Sequence, residues 1–199
     1  MDFEHPDDRY DPSQNGDQFV EPTHTLADLD WPRERVRKWE RQFPLLNSDS
    51  NRTATSILLT GPDGSGRRTL TTGIAGTIEA SYLRVRPEHL TSAEEPFEFL
   101  DELFQMVRDG HDRRILLVER LEYFDEPALD QAVINGLRRH IRDTLRDPTT
   151  QTSVVGISAS VEGINFELRT TSVFERLLPI ENPRAGRRVA LVQSFFEDH

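Results

Sequence analysis

The stretch from Ser56 to Leu70 constrains this chain more than any other. An apolar run, Ser56-Ile57-Leu58-Leu59-Thr60, meets the turn Gly61-Pro62-Asp63-Gly64-Ser65-Gly66 and continues into Arg67-Arg68-Thr69-Leu70. Gly61 and Gly66 have the spacing of the pattern G-x-x-x-x-G-K-[ST], in which a strand passes through a glycine-rich turn into a helix. A strand that must feed a helix in this way predicts an α/β chain with a parallel sheet. The two chemical positions of the pattern are changed. Arg67 stands in place of the lysine, and Arg68 in place of the Ser/Thr.

Such a turn, a P-loop, surrounds phosphates with backbone N–H groups and a helix N-terminus. Gly61, Gly64 and Gly66 can supply that geometry, with Pro62, Asp63 and Ser65 between them. The lysine normally adds a compact charge at the phosphates, and the hydroxyl holds magnesium. Arg67 keeps the charge, but a planar guanidinium is not equivalent to an ammonium. Arg68 has no acceptor atom and cannot ligate a cation. Thr69 is no replacement, because one residue along a helix turns the side chain by ~100°. The strand Ile115-Leu116-Leu117-Val118 ends in Glu119-Arg120-Leu121-Glu122. There an active ATPase would place two acids, one for magnesium and one to polarise water. Glu119 is a weak candidate for the first role. Arg120 cannot be a general base, and Glu122 reads as a surface acid.

Apolar runs and amphipathic stretches alternate along the rest of the chain. The expected strands are 56–60, 82–85, 115–118, 153–158 and 174–180. Helices are expected from Asp30-Trp31-Pro32 to about Phe43, from about Gly66 to Ala80, around Phe97 to Val107, from Pro127 through Leu145, and from Asn182-Pro183 onward. The uninterrupted apolar run at 115–118 is what a parallel sheet covered on both faces requires. Helices on both faces of a parallel sheet are therefore the expected architecture.

Composition narrows the class. There is no cysteine, so thiolate chemistry, disulfides and thiolate metal sites are excluded. The six histidines show no metal-ligand spacing, and no metal site is assigned. No apolar run is long enough to span a membrane, and the acidic N-terminus is not a signal peptide, so a cytoplasmic protein is expected. The net charge of -11 is local: residues 1–30 hold nine acids and one base. Residues 1–24, polar and acidic, are expected to form a disordered leader ahead of a domain at 25–199.

These segments together resemble the AAA+ ATPases, and within them the AAA clade of unfoldases and remodellers, over about residues 25–196. Thr25-Leu26-Ala27-Asp28-Leu29-Asp30 is similar to the lead-in before that clade's P-loop, and Gly61 to Gly66 to its G-P-P-G-[ST]-G turn. Ile115 to Arg120 resembles its Walker B strand, and Val154 to Ser160 its sensor-1 strand, with Ser158 or Ser160 in place of the polar sensor. Val173-Phe174-Glu175-Arg176, followed by Pro183 and Arg188, resembles its arginine-finger segment. By that match Val173 replaces one finger and Arg176 keeps the other, which would reach a neighbouring subunit's nucleotide. The pore loop should fall near 90–97, where Leu90-Thr91-Ser92-Ala93-Glu94-Glu95-Pro96-Phe97 has no glycine, which argues against polypeptide threading. A helical lid would begin about where the chain reaches His199, so a domain without the lid is expected.

The resemblance implies ATP or ADP as ligand, while the substitutions argue against Mg2+. It implies a pseudo-ATPase module acting through protein contacts, with an active AAA+ subunit or another client as partner. Two other readings stand beside it. One is a slow ATPase using Arg67, Glu119 and an acid donated from elsewhere. The other is a replication-initiator-like protein binding DNA through Arg138-Arg139-His140-Ile141-Arg142; nucleic acid is the less expected partner, because Asp130, Asp143 and Asp147 share that helical region.

Overall fold

The computed structural model describes residues 19–29, 36–37, 55–109, 112–125, 129–147, 149–170 and 172–181. Its core is a sheet of five parallel strands: β1 (Ser56–Thr60), β2 (Ser81–Val85), β3 (Arg114–Val118), β4 (Thr152–Ser158) and β5 (Arg176–Pro179), in the order β2-β3-β4-β1-β5. The register aligns Leu58 with Gly156 and Leu177, and Leu83 with Leu116. β1 and β4 are buried along their whole length, which accounts for their lack of polar alternation.

Alternate residues of each strand face opposite sides of the sheet. Leu58, Leu83, Val85, Leu116, Val118 and Val154 pack against helices α3 (Pro96–Arg108) and α4 (Gln131–Arg146). Ile57, Leu59, Tyr82, Ile115, Leu117 and Val155 pack against helix α1 (Arg67–Thr77) through Leu70, Ile74 and Ala75. The short helix α2 (Pro87–Ser92) follows β2, and a 3-10 turn (Leu121–Asp125) follows β3. Among the described residues no helix is long and apolar enough to cross a membrane.

Several boundaries differ from expectation for local reasons. Helix α1 stops at Thr77 rather than Ala80. Glu79 takes a left-handed conformation, φ 54°, while Ala80 N–H donates to the Ala75 carbonyl and Glu79 N–H to that of Gly76. This is a Schellman ending in which glutamate occupies the position that glycine usually signals. Helix α4 begins at Gln131, not Pro127, because Asp130 caps it: its Oδ1 accepts from Ala132 N at 2.8 Å. β5 begins at Arg176, two residues later than expected. Phe174 turns inward against Gly156, and Glu175 N–H bonds the Ser56 hydroxyl at 3.0 Å. Helix α2 occupies part of the 90–97 stretch, where a loop was expected. The expected helix from Asn182 lies outside the described residues, as does most of the one between Asp30 and Phe43.

The leader expected through residue 24 is not free at its end. Val20 forms an antiparallel bridge with Tyr82, using bonds of 2.8 and 2.9 Å, and Phe19 packs on the core beneath the Arg114 guanidinium. Residues 24–29 lie along α1. The backbone of His24 runs so close to Gly76 that a Cβ there would sit 2.1 Å from its carbonyl oxygen. Leu26 is buried, and its N–H donates to the Thr77 hydroxyl at 2.9 Å. Glycines at 73 and 76 thus open a helix face for the preceding segment, a role that β-strand and helix periodicity does not reveal.

Candidate functional site: the turn after β1 and the carboxylate of Glu119

In an open parallel sheet, ligands sit beyond the carboxyl ends of the strands. The turn 61–66 leaves β1 there and enters α1. Gly61 (φ 154°), Gly64 (φ 74°) and Gly66 (φ 85°) all have positive φ. At Gly61 a side chain is also excluded by space, since a Cβ would lie 2.1 Å from the Ile180 carbonyl oxygen. At Gly64 nothing lies within 4 Å, so only the backbone conformation selects glycine. Among the described residues no side chain caps α1. Its first-turn amides have no partner within the helix and point out of its N-terminus.

Two polar atoms at the turn are buried without a partner among the described residues: the Ser65 hydroxyl and Nη1 of Arg67. Arg67 folds back over the loop, its Nη2 donating to Asp63 Oδ1 at 2.9 Å. Its side chain is 9% exposed, whereas that of Asp63 is 95% exposed. Buried donors without acceptors are costly unless a ligand completes them, and an anion is the group that would do so here. The residues therefore fit a phosphate group. Thr69, the other sequence candidate in α1, is exposed.

They do not fit magnesium. Glu119 follows β3, and its N–H continues the ladder to the Val85 carbonyl at 2.8 Å. Its side chain is 1% exposed and is held by three arginines. Arg68 donates to it from Nε at 2.9 Å and from Nη2 at 3.3 Å. Arg84 donates at 3.1 and 3.2 Å, and Arg86 at 2.9 Å. Burial pushes the Glu119 carboxyl up, but the guanidiniums of Arg84, Arg68 and Arg86 together bring it down to about 2. Glu119 is the weak candidate to hold magnesium through water; in the structure its oxygens accept from guanidiniums. Arg68, at the position of the metal-binding hydroxyl, places a positive group directly on that carboxylate.

Arg84 and Arg86 escaped sequence reasoning. The signal was present: two arginines at i and i+2 in a strand lie on one face. In the register that aligns Val85 with Val118, that face is the one carrying Leu117 and Glu119. The position after Glu119 carries no acid. Arg120 adopts φ 57°, pairs with Glu88 and lies over the Tyr123 ring. Glu122 accepts from Ala159 N at 3.3 Å, tying the 3-10 turn to the end of β4.

Ser158 lies beside Thr60 in the sheet, and its carbonyl accepts from Gly61 N at 3.3 Å. Its hydroxyl donates to the Ser160 carbonyl at 2.7 Å, and Ser160 Oγ accepts from Gly163 N. Both sensor candidates are thus engaged in their own loop. Arg176 opens β5 opposite Ile57, toward the amino end of the strands and away from the turn, and is exposed. In the basic run, Arg138 pairs with Glu167. His140 is buried on Phe104, with its Nε2 3.0 Å from Asp101.

No protein-family profile matches the chain, and no curated protein matches it in sequence. Its structure does have counterparts. A katanin structure concerned with katanin self-assembly superposes with TM-score 0.67 at 18% identity, over 88% of this chain and 60% of that one. The FIGL-1 AAA domain, solved in complex with ADP, superposes with TM-score 0.69 at 15% identity, over 89% of this chain and 62% of that one. The chain thus spans about 60% of the length of these AAA structures. Strand order, turn geometry and these superpositions agree that the chain has the α/β P-loop NTPase fold of AAA domains.

Proposed function

We propose that this chain is a nucleotide-binding AAA+ module that does not turn over ATP and acts through contact with a protein partner. The observation that carries the reading is the Arg68–Glu119 pair. It joins the two positions at which an active P-loop ATPase holds its metal, and a guanidinium fills the gap between them. The left-handed Arg120 supports the same reading, since it stands where a water-polarising acid is needed and cannot accept a proton. Nucleotide binding is supported by the retained turn and its orphaned Ser65 and Arg67 atoms, and by the ADP bound to the similar FIGL-1 domain. Partnership with another AAA+ subunit is supported by the self-assembly of katanin and by Arg176 exposed on β5. The basic run gives DNA binding little support, since Arg138 is paired and His140 buried.

Phosphate release from ATP by the purified chain, with magnesium present, tests the reading. Release should stay at background and be unchanged by Glu119→Gln. Sustained magnesium-dependent turnover that Glu119→Gln abolishes would overturn it. Partnership is tested by cross-linking the chain to candidate AAA+ subunits, where Arg176→Ala should weaken capture.

A further inference from the structure

The charges around the turn form an unusual set. Among the described residues, Arg67 pairs with Asp63, and Arg68, Arg84 and Arg86 all pair with Glu119. The nearby Glu88 is engaged by Arg120. The chain itself thus places a guanidinium, that of Arg68, at the motif position of the metal-binding hydroxyl. In metal-dependent sites the positive group at this place arrives with the nucleotide.

We propose that the turn binds magnesium-free polyphosphate in preference to the magnesium-bound form, with Arg68 setting that preference. The proposal rests on the nucleotide-binding reading above and deepens it. The phosphate chain enters at the N-terminus of α1, where the buried Ser65 hydroxyl and Arg67 Nη1 lack partners among the described residues. A polyphosphate without metal brings its full negative charge to the guanidiniums of Arg67 and Arg68. One with magnesium carries a cation to the place where Arg68 already sits, and two positive groups cannot share it. Nor can the metal recruit Glu119. To do so it must strip a carboxylate that three guanidiniums hold in a site 1% exposed to solvent, and leave them unpaired. The metal is therefore a competitor here rather than a bridge.

The side chain of Arg68 is 41% exposed, more than those of Arg84 at 18% and Arg86 at 16%. It is thus the member of the cluster that meets an incoming phosphate, while the other two keep Glu119 satisfied from β2. That division makes Arg68 a specificity-determining residue, and its replacement by the hydroxyl of the usual pattern an informative change.

Calorimetric titration of the full chain decides the matter, with ATP, ADP and inorganic tripolyphosphate as ligands. Each is measured in EDTA and in excess magnesium at matched ionic strength. ATP and tripolyphosphate should bind about tenfold more tightly in EDTA, the scale of one charge-assisted hydrogen bond. Arg68→Thr should remove or reverse that difference. Arg139→Ala, an exposed arginine on α4, should leave it intact and so exclude a general surface-charge effect. Tighter binding with magnesium in the unmodified protein would overturn the proposal, as would an equal preference in Arg68→Thr. Failure of all three ligands to bind would overturn it too, while leaving the absence of turnover standing. Phosphate release in the parallel assay would instead overturn the non-hydrolysing reading, since the EDTA titration is independent of it. If Arg68→Thr fails to fold, as its circular dichroism would reveal, the unmodified protein's titration and the Arg139→Ala control still decide.

Discussion

The backbone of the turn at 61–66 and the side chains around Glu119 lie at the same end of the sheet, yet they follow different constraints. The turn is fixed by conformation and space: three positive φ values, and at Gly61 a carbonyl 2.1 Å from where a Cβ would be. Such geometry can be altered only with damage to the fold around it. The Glu119 cluster is fixed by charge balance, and charge balance can be rebuilt with other residues. Here a guanidinium from Arg68 has the place of a hydroxyl and its metal, and the sheet around it is intact. On the reading proposed above, phosphate-binding shape and metal chemistry are separable properties of one turn.

The sharpest way to break this contrast is to disturb the balance itself. Glu119→Ala leaves three arginines facing one another around a site that is 1% exposed. Breaking a buried pair from one side typically costs ~3–5 kcal/mol, which urea denaturation should register. A loss below about 1 kcal/mol would mean that the cluster is merely tolerated. Acid provides a second route. The Glu119 carboxyl titrates at about 2 in the fold and near 4.5 when free. Its stabilisation is therefore complete above pH 4.5 and is lost as the pH falls toward 2, on the order of 3 kcal/mol in all. Glu119→Gln should flatten that part of the stability–pH curve.

The backbone half is tested by Gly61→Ala and Gly64→Ala. The first meets the Ile180 carbonyl as well as an unfavourable φ and should cost more than ~2 kcal/mol. The second has open space and should cost only the left-handed penalty of ~1–2 kcal/mol. Equal losses would show that space at Gly61 is not what selects glycine. The smallest effects separate neighbours in α1. Arg67→Ala should weaken ADP binding about tenfold through the lost charge-assisted contact. The exposed Thr69 should tolerate alanine with a change within about 0.5 kcal/mol. Equal responses would remove Arg67 from the binding site.

What could be read in advance follows the same division. The strand–turn–helix layout was legible because glycine spacing and apolar runs are local signals, and β1, β3 and β4 lie within a residue of their expected bounds. The ends of α1 and α4 were not, because Glu79 does the work expected of glycine and Asp130 caps a helix that Pro127 was expected to open. In the site, the loss of the metal hydroxyl was plain from Arg68 alone. What replaced it was hidden, since its partners come from three elements. Arg68, Arg84 and Glu119 are brought together by the crossover from β1 to β2 and by strand order, neither of which is visible in a local window. Likewise Gly73 and Gly76 look like helix weaknesses until the backbone of residues 24–26 is seen lying across them.

The Glu119 cluster also has a mechanical meaning. Arg68 belongs to the helix that leaves β1, Arg84 and Arg86 to β2 and its end, and Glu119 to β3. In the sheet, β3 and β4 stand between β2 and β1. One carboxylate therefore fastens the start of α1, which packs across β2, β3 and β4, to β2 and β3 at the carboxyl edge of the sheet. Tension that would shear α1 away from the sheet loads the Arg68–Glu119 contact first, with Arg84 and Arg86 bracing the carboxylate from β2. The carboxyl edge of the sheet, elsewhere the crevice where such folds gape, is here riveted.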